Sequence, residues 1–442
     1  MEHLYIGVDV GKTSHTIALY SPALLATNKR YEKCPTKSIP NTHTGFSDLL
    51  TLIKQYTDPV ACHVLLERTG HYGFALEQYL AEHDITLYRI MAQKRYAANK
   101  NDKKDSQALG IMLYNQIELH TPIVNPHDRV RPLRAPLPEA QLLRGMVRHR
   151  AELVQERAQR ENKMISISDE LFPEMASFYS DMNSPSAITL RERFPTPESL
   201  CNASIDELCA TRARYQPSRE KLALLQQAAR ETIGLRDEHR RVALLMEQKQ
   251  LIREWRLLTS HINELEEYIT AIVQESRAGR ILTSFVGVSP VQAATLLAHI
   301  GSIDNFESVA SLRNYMGWAP RQSQTGTSFD RMYLDKGGNR LLKSTMYFIT
   351  INAVKYDPTW KALCERLVRR KCDFDERTGK YRGRKKVYGR VAGQIISLMF
   401  TLLKRDADLL RSWQGPGEPP EPTLYDPAIH ARSIGTEKGG DD

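Results

Sequence analysis

Asp9 closes the apolar run Leu4 to Val8, and Glu67 directly follows a second apolar run, Val60 to Leu66. Asp102 and Asp105 lie three apart in Asn101-Asp102-Lys103-Lys104-Asp105-Ser106. Carboxylates at i and i+3 share one side of a helix, and acids at two strand ends open into the crevice beyond the carboxyl edge of a sheet. Four carboxylates offer oxygen donors, which hard Mg²⁺ takes, and two such ions clamp the attacking and leaving oxygens of a phosphate displacement. A DxxD in a lysine-rich stretch is by itself an ordinary solvated helix face. An acid that ends an apolar strand is different, because burying it is unfavourable unless it is paired or metal-bound. Asp9 and Glu67 repeat that arrangement independently, so the quartet Asp9, Glu67, Asp102 and Asp105 is read as a catalytic, Mg²⁺-binding set.

The elements that must position these acids alternate in type. Leu4 to Val8, Thr16 to Tyr20, Val60 to Leu66 and Thr86 to Ile90 have strand patterns, while Thr44 to Tyr56 and Tyr72 to His83 repeat apolar residues at helical spacing. This predicts an α/β domain over residues 1–120. Five prolines between Pro122 and Pro138 then mark a linker. A basic helix is expected from Glu139 to Leu171, and a helix start at Thr196-Pro197, with Thr196 as cap. Leu251, Trp255, Leu258, Ile262, Leu265, Ile269 and Ile272 alternate steps of four and three, the period of a coiled-coil seam on which two chains or two helices should pack. Residues 121–278 thus read as a helical linker with a coiled coil, and 279–410 as a second, mostly helical domain. The Pro-rich, polar stretch 411–442 reads as a disordered tail.

The composition bounds the class of protein. A chain of 442 residues is too long for one growing core, and 41% hydrophobic with 26% charged residues is ordinary for a soluble globular protein. The net charge of +9 favours polyanionic partners. No stretch approaches the roughly 20 apolar residues of a membrane span, and Met1 to Val10 lacks the order of a signal peptide, so a cytoplasmic protein is expected. The six cysteines form no CxxC pair and no zinc-finger spacing.

With these motifs in place, Gly7-Val8-Asp9-Val10-Gly11-Lys12, Leu66-Glu67-Arg68-Thr69-Gly70-His71-Tyr72 and Asn101-Asp102-Lys103-Lys104-Asp105-Ser106 closely resemble the DEDD transposases of bacterial insertion sequences. Phe172-Pro173 to Pro195-Thr196-Pro197 resembles that family's helical linker, and Phe285 to Leu342 its second transposase domain, so the resemblance spans nearly all of residues 4 to 350. It implies an RNase H/RuvC-like first domain related to Holliday-junction resolvases. It also implies DNA partners at element ends and target, a noncoding guide RNA from the element, and a homo-oligomer, dimer or tetramer, joined by the coiled coil.

In the second domain, Phe285-Val286-Gly287-Val288-Ser289-Pro290 before an apolar helix reads as a helix-hairpin-helix, whose turn amides can meet phosphates. A glycine turn between packed helices occurs as readily without DNA. Tyr315 to Ser328 forms a loop rich in hydroxyls and glycine, followed by Asp335-Lys336-Gly337-Gly338-Asn339-Arg340. The resemblance implies that a serine here is the nucleophile, leaving a covalent phosphoserine while the acidic domain's metal assists. A serine needs such activation from elsewhere. The family commonly has serine directly before glycine, whereas this chain has Thr325 before Gly326. Ser323 is taken as the nucleophile, with Thr325 and Ser328 as alternatives, and a loop-capping hydrogen bond is the ordinary role of each hydroxyl. Arg321, Lys336, Arg340, Arg384, Lys385 and Lys386 are read as nucleic-acid-binding, the last three from a basic stretch with Tyr381 and Tyr388 that suits a phosphate backbone.

The leading expectation is a transposase or site-specific recombinase. The alternatives are a structure-selective junction nuclease, a non-catalytic nucleic-acid binder, and an ATPase of the actin and sugar-kinase type. The last rests on Asp9-Val10-Gly11-Lys12-Thr13 and lacks a second phosphate loop. A P-loop is excluded because Ile6 stands where its first glycine belongs.

Overall fold

The computed structural model describes residues 2–67, 71–90, 101–123, 130–133, 137–211, 217–325, 329–334 and 338–430, with backbone alone for 320–325 and 329–334. It divides into two compact units, 1–135 and 136–442.

The first unit is a mixed α/β layer. Its elements are β1 (Leu4–Asp9), β2 (Ser14–Tyr20), α1 (Pro22–Asn28), β3 (Thr36–Pro40), α2 (His43–Tyr56), β4 (Cys62–Leu66), α3 (Phe74–Ala81), β5 (Thr86–Arg89), α4 (Asp102–Ile117) and β6 (Arg131–Pro132). The sheet order is β3-β2-β1-β4-β5-β6. β1, β4 and β5 run parallel, and β2, β3 and β6 are antiparallel to their neighbours. Helices cover both faces, which is why β1 is an almost unbroken apolar run rather than an alternating one. Leu4, Ile6, Val8, Val64 and Leu66 pack with Phe46, Leu49 and Ile53 of α2 and Leu76 and Leu80 of α3. Tyr5, Ala18, Tyr20 and Leu65 pack with Leu109, Leu113 and Tyr114 of α4 on the other face.

The second unit is built on two long helices, α5 (Pro138–Leu171) and, after a small cluster of α6 (Pro185–Arg193), α7 (Pro197–Asn202), α8 (Ile205–Cys209) and α9 (Arg219–Arg230), α10 (Glu238–Glu275). Ion pairs Arg150–Glu266, Arg160–Glu254, Lys163–Glu247 and Arg240–Glu170 descend in one helix as they rise in the other, so the pair is antiparallel. The expected seam is buried within the chain: Leu258 and Ile262 meet Leu153, and Trp255 meets Met164 while donating its indole N–H to Glu161 at 2.8 Å. Thr196 caps α7 as its sequence predicts, in a capping box with Ser199.

The chain continues through α11 (Arg277–Thr283), α12 (Pro290–Ile300), α13 (Val309–Tyr315), β7 (Pro320–Thr325), β8 (Phe329–Leu334), α14 (Arg340–Tyr356), α15 (Pro358–Lys371), β9 (Asp373–Asp375), β10 (Lys380–Arg382), α16 (Arg384–Ser412) and α17 (Pro427–His430). Three expectations change here. The hydroxyl-rich loop is an antiparallel ribbon of β7 and β8. No core boundary falls near residue 278, because Leu143, Val147, Ile269 and Val273 of the long helices share one core with α11 to α16. The tail expected to be disordered from residue 411 instead docks up to His430. Tyr425 is buried, stacks on Phe285 at 4.5 Å and donates to Asp357 at 2.9 Å, and Arg277 and Arg280 hold Pro420 and Glu421. One well-placed aromatic with a polar tip anchors a segment too polar to build a core of its own. No helix among the described residues is long and apolar enough to cross a membrane.

Candidate active site

In the first unit, sheet register places Asp9 and Glu67 at one edge. β1 and β4 are parallel with Val8 opposite Leu66, so the next residue of each, Asp9 and Glu67, leave the sheet side by side at its carboxyl edge. Side chains alternate along a strand. Leu4, Ile6 and Val8 take the α2 face, which leaves Tyr5, Gly7 and Asp9 on the α4 face. The same parity puts Leu65, and with it Glu67, on the α4 face. Both acids are half-buried.

α4 supplies the other two. Asn101 caps it by accepting from the Lys103 N–H at 3.0 Å, which fixes the helix start and sets Asp102 and Asp105 in the first turn. Carboxylates there also suit the positive end of the helix dipole. The helix lies against β1 at measured points. Tyr5 meets Tyr114 edge-on at 5.4 Å and donates to Glu118 in a short hydrogen bond. A Cβ on Gly7 would stand 2.1 Å from the Gly110 nitrogen and 2.2 Å from the Ser106 carbonyl oxygen, so backbone packs on backbone. Two strand residues span roughly 6.6 Å and four helix residues roughly 6 Å. The step from Gly7 to Asp9 thus runs toward the first turn of α4, which holds Asp102 and Asp105. Asp105 is half-buried and Asp102 exposed.

Loops near the edge are braced too. Asn41 donates to the Lys12 carbonyl at 3.1 Å and the Tyr72 carbonyl at 3.4 Å, tying the β1–β2 turn to the chain before α3. Among the described residues no three His, Cys, Asp or Glu side chains stand close enough to hold a metal ion. The donor set of four carboxylates nonetheless matches the all-oxygen coordination of Mg²⁺.

The opposite end of this sheet carries another polar group. His3 Nδ1 lies 2.9 Å from His63 Nε2, and His63 Nδ1 lies 3.3 Å from the Tyr88 hydroxyl. Burial, then the neighbouring His3, lower the His63 pKa.

In the second unit, Ser323 lies opposite Arg331, Arg321 opposite Tyr333 and Thr325 opposite Phe329. Ser328 and Lys336 lie outside the described residues. The foot of the ribbon rests on a glycine contact, since a Cβ on Gly338, whose φ is +88°, would meet the Gly317 Cα at 2.5 Å. Asn339 caps α14 by accepting from the N–H groups of Leu341 and Leu342. Arg340, in the first turn of α14, is exposed. Arg384, Lys385 and Lys386 are exposed in the first turn of α16, and so belong to a helix rather than a loop. The turn Ser284 to Ser289 joins α11 to α12 with Gly287 at φ +88°, its carbonyl accepting from Asn352 at 3.3 Å. Sequence reading missed the Gly7–Gly110 contact that seats α4. The available signal was a glycine inside an apolar strand and another inside a helix.

Two family models match the chain. One, of DEDD-type IS110 transposases and described as Transposase, covers residues 6–173. The other, described as Transposase IS116/IS110/IS902 family, covers residues 279–365. Among curated proteins, an insertion element IS110 protein of Streptomyces coelicolor is 29% identical over 140 residues, 32% of each chain. An IS117 mini-circle protein of the same organism is 23% identical over 73% of this chain and 78% of its own length. An insertion element IS116 protein of Streptomyces clavuligerus is 20% identical over 78% of this chain and 83% of its own.

Proposed function

Because the chain belongs to the IS116/IS110/IS902 family of insertion-element transposases and carries matches to both of its domain models, we propose that it cuts and rejoins DNA strands at element ends and target. In this reading residues 1–120 are the catalytic RuvC-like domain, and the second unit bears the serine and a helix-hairpin-helix, with its α5–α10 pair packed within one chain. What supports it is the register and the helix start: Asp9 and Glu67 follow on paired parallel strands, and Asp102 and Asp105 lie in the first turn of α4, which packs on β1.

These four carboxylates would hold Mg²⁺, which when bound supplies Lewis-acid stabilisation to phosphate oxygens. The chain's own contribution is to fix the acids on rigid elements and to deliver a nucleophile. The Ser323 hydroxyl oxygen attacks phosphorus. An Oγ–P bond forms as one DNA P–O bond breaks, and the serine proton passes to the departing oxygen. A DNA hydroxyl reverses the step on a new partner strand and returns the serine. One phosphodiester replaces another, so no nucleotide cofactor is consumed. Arg321, Lys336, Arg340, Arg384, Lys385 and Lys386 would neutralise backbone phosphates. A guide RNA from the element, a dimer or tetramer, and a cytoplasmic location complete the proposal. All six cysteines are free thiols, in keeping with a reducing compartment.

The test incubates the full chain with Mg²⁺, junction DNA of its element and RNA from the flanking noncoding region, and runs denaturing gels. Strand exchange with a protein–DNA adduct that is lost in Ser323→Ala, and chemistry lost in Asp9→Asn, is the expected result. An adduct that survives Ser323→Ala moves the nucleophile to Thr325 or Ser328. Cleavage without any adduct sinks the serine step in favour of a hydrolytic junction nuclease, and binding without cleavage leaves a non-catalytic binder.

A further inference from the structure

Arg313, in α13, is half-buried, yet no acceptor for its Nε and no carboxylate partner stands among the described residues. Its guanidinium lies across α16 at Gly393. A Cβ there would sit 2.5 Å from the Arg313 Nη2 and 2.7 Å from Cζ, so the glycine is what makes room. Gly393 is interior to a helix of 29 residues, where glycine is a poor choice. Burial also lowers the Arg313 pKa. The fold thus keeps two unfavourable features in contact, an unpaired guanidinium and a helix glycine, and such coincidences concentrate at functional sites.

Two further observations say what the guanidinium faces. Lys386 and Arg390 stand seven and three residues before Gly393, on the same side of α16, and both are exposed. The carboxylate near the far end of the helix, Asp304, is already shared by Lys404 at 2.5 Å and Arg411 at 3.1 Å. In addition, Trp318, whose backbone N–H donates to the Arg313 carbonyl at 2.8 Å, is 4% exposed, and its buried indole N–H has no acceptor among the described residues.

We propose that Arg313, seated on Gly393 in line with Lys386 and Arg390, is a positioning residue that grips a backbone phosphodiester of nucleic acid beside the foot of the β7–β8 ribbon. The planar fork suits two phosphate oxygens. The glycine seat holds the fork, with no carboxylate beside it among the described residues. The proposal rests on the nucleic-acid reading of the second unit.

The test uses the full chain, with a mixed-sequence DNA duplex and a single-stranded RNA of equal length, each titrated from low to physiological salt. Arg313→Gln is expected to weaken binding about tenfold and to lower the salt slope by about 0.9 if the phosphate belongs to duplex DNA, or about 0.7 if to single-stranded RNA. Its melting temperature should hold or rise, because an unpaired buried charge is removed. Gly393→Ala, which keeps the charge but takes its seat, should reproduce the loss, and Arg313→Lys should recover part of it. Unchanged affinity and slope with a lower melting temperature overturn the proposal and make Arg313 a packing residue. Failure of the wild-type chain to bind either probe overturns the nucleic-acid reading itself, a result distinct from an Arg313 variant that binds like wild type.

Discussion

Asp9 and Glu67 end strands that each have a neighbour on both sides, whereas Ser323 sits in a two-stranded ribbon. The first pair inherits its geometry from a sheet register, a helix cap and a glycine contact, all within buried elements. The serine inherits its geometry from a foot where Gly317 meets Gly338. Precise placement of charged groups needs rigid support. In the proposed mechanism the serine hydroxyl forms and later releases a covalent bond to DNA, a role that tolerates a less braced mount. The two regions should therefore respond differently to equally small substitutions.

The largest effect is expected at Gly7→Ala. The new methyl meets backbone atoms of Ser106 and Gly110, which cannot yield as a side-chain tip does, so α4 and its two acids must shift. Stability should fall by about 3 kcal/mol, read by urea unfolding, with strand cleavage abolished. Near-normal cleavage would show that the acidic edge is as tolerant as the ribbon. Gly338→Ala should come next: its positive φ and the Gly317 contact predict a loss of about 1–3 kcal/mol locally. Adduct yield should drop while the melting transition moves little. A large drop in melting temperature would make the foot part of the core.

Tyr425→Phe removes a hydrogen bond to the buried Asp357 carboxylate, and should destabilise the second unit by about 1.5 kcal/mol. No change on calorimetry would mean that the docked tail is held by stacking alone. Gly145→Ala runs the other way. Gly145 is exposed inside α5 with nothing within 4 Å of a new Cβ, so a gain of about 0.5–1 kcal/mol in thermal stability is expected. Set beside Gly7→Ala, it separates the contact from the residue type. The smallest effect concerns pH. His63 has a folded-state pKa below its unfolded value, so the unfolded chain binds the extra proton more readily. Its contribution is present above about pH 6.5 and is lost as pH falls below that value. His63→Gln should flatten the dependence of melting temperature on pH in that window. An equally steep profile would assign it to other groups, among them His15, whose pKa burial also lowers.

Local signals were strong where local chemistry decides. The apolar runs announced β1 and β4, Thr196-Pro197 announced the start of α7, and the four-three spacing picked out Trp255, Leu258, Ile262 and Ile269 of α10, whereas Ile252 and Val273 are buried where Leu251 and Ile272 were expected. β3, with a single buried position, and the two-residue β6 carry little apolar pattern and form because a neighbouring edge accepts them. Pro320 to Thr325 reads as a polar loop because it lacks alternation, and pairing with Phe329 to Leu334 makes it a strand. The tail misled for a related reason, since composition averages away the one tyrosine that docks.

The amino-acid sequence by itself determined which residues could do chemistry: four oxygen-donor acids, a hydroxyl cluster and a basic surplus. Residue type sets charge, donor character and helix or strand preference without help from distant parts of the chain. Tertiary structure alone decided that Asp9 lies on the α4 face rather than the α2 face, that backbone packs on backbone at Gly7 and Gly110, and that the Arg313 guanidinium lies on Gly393. Those outcomes depend on sheet register and on contacts between residues up to about a hundred positions apart, and spacing along the chain does not encode which atoms will finally touch.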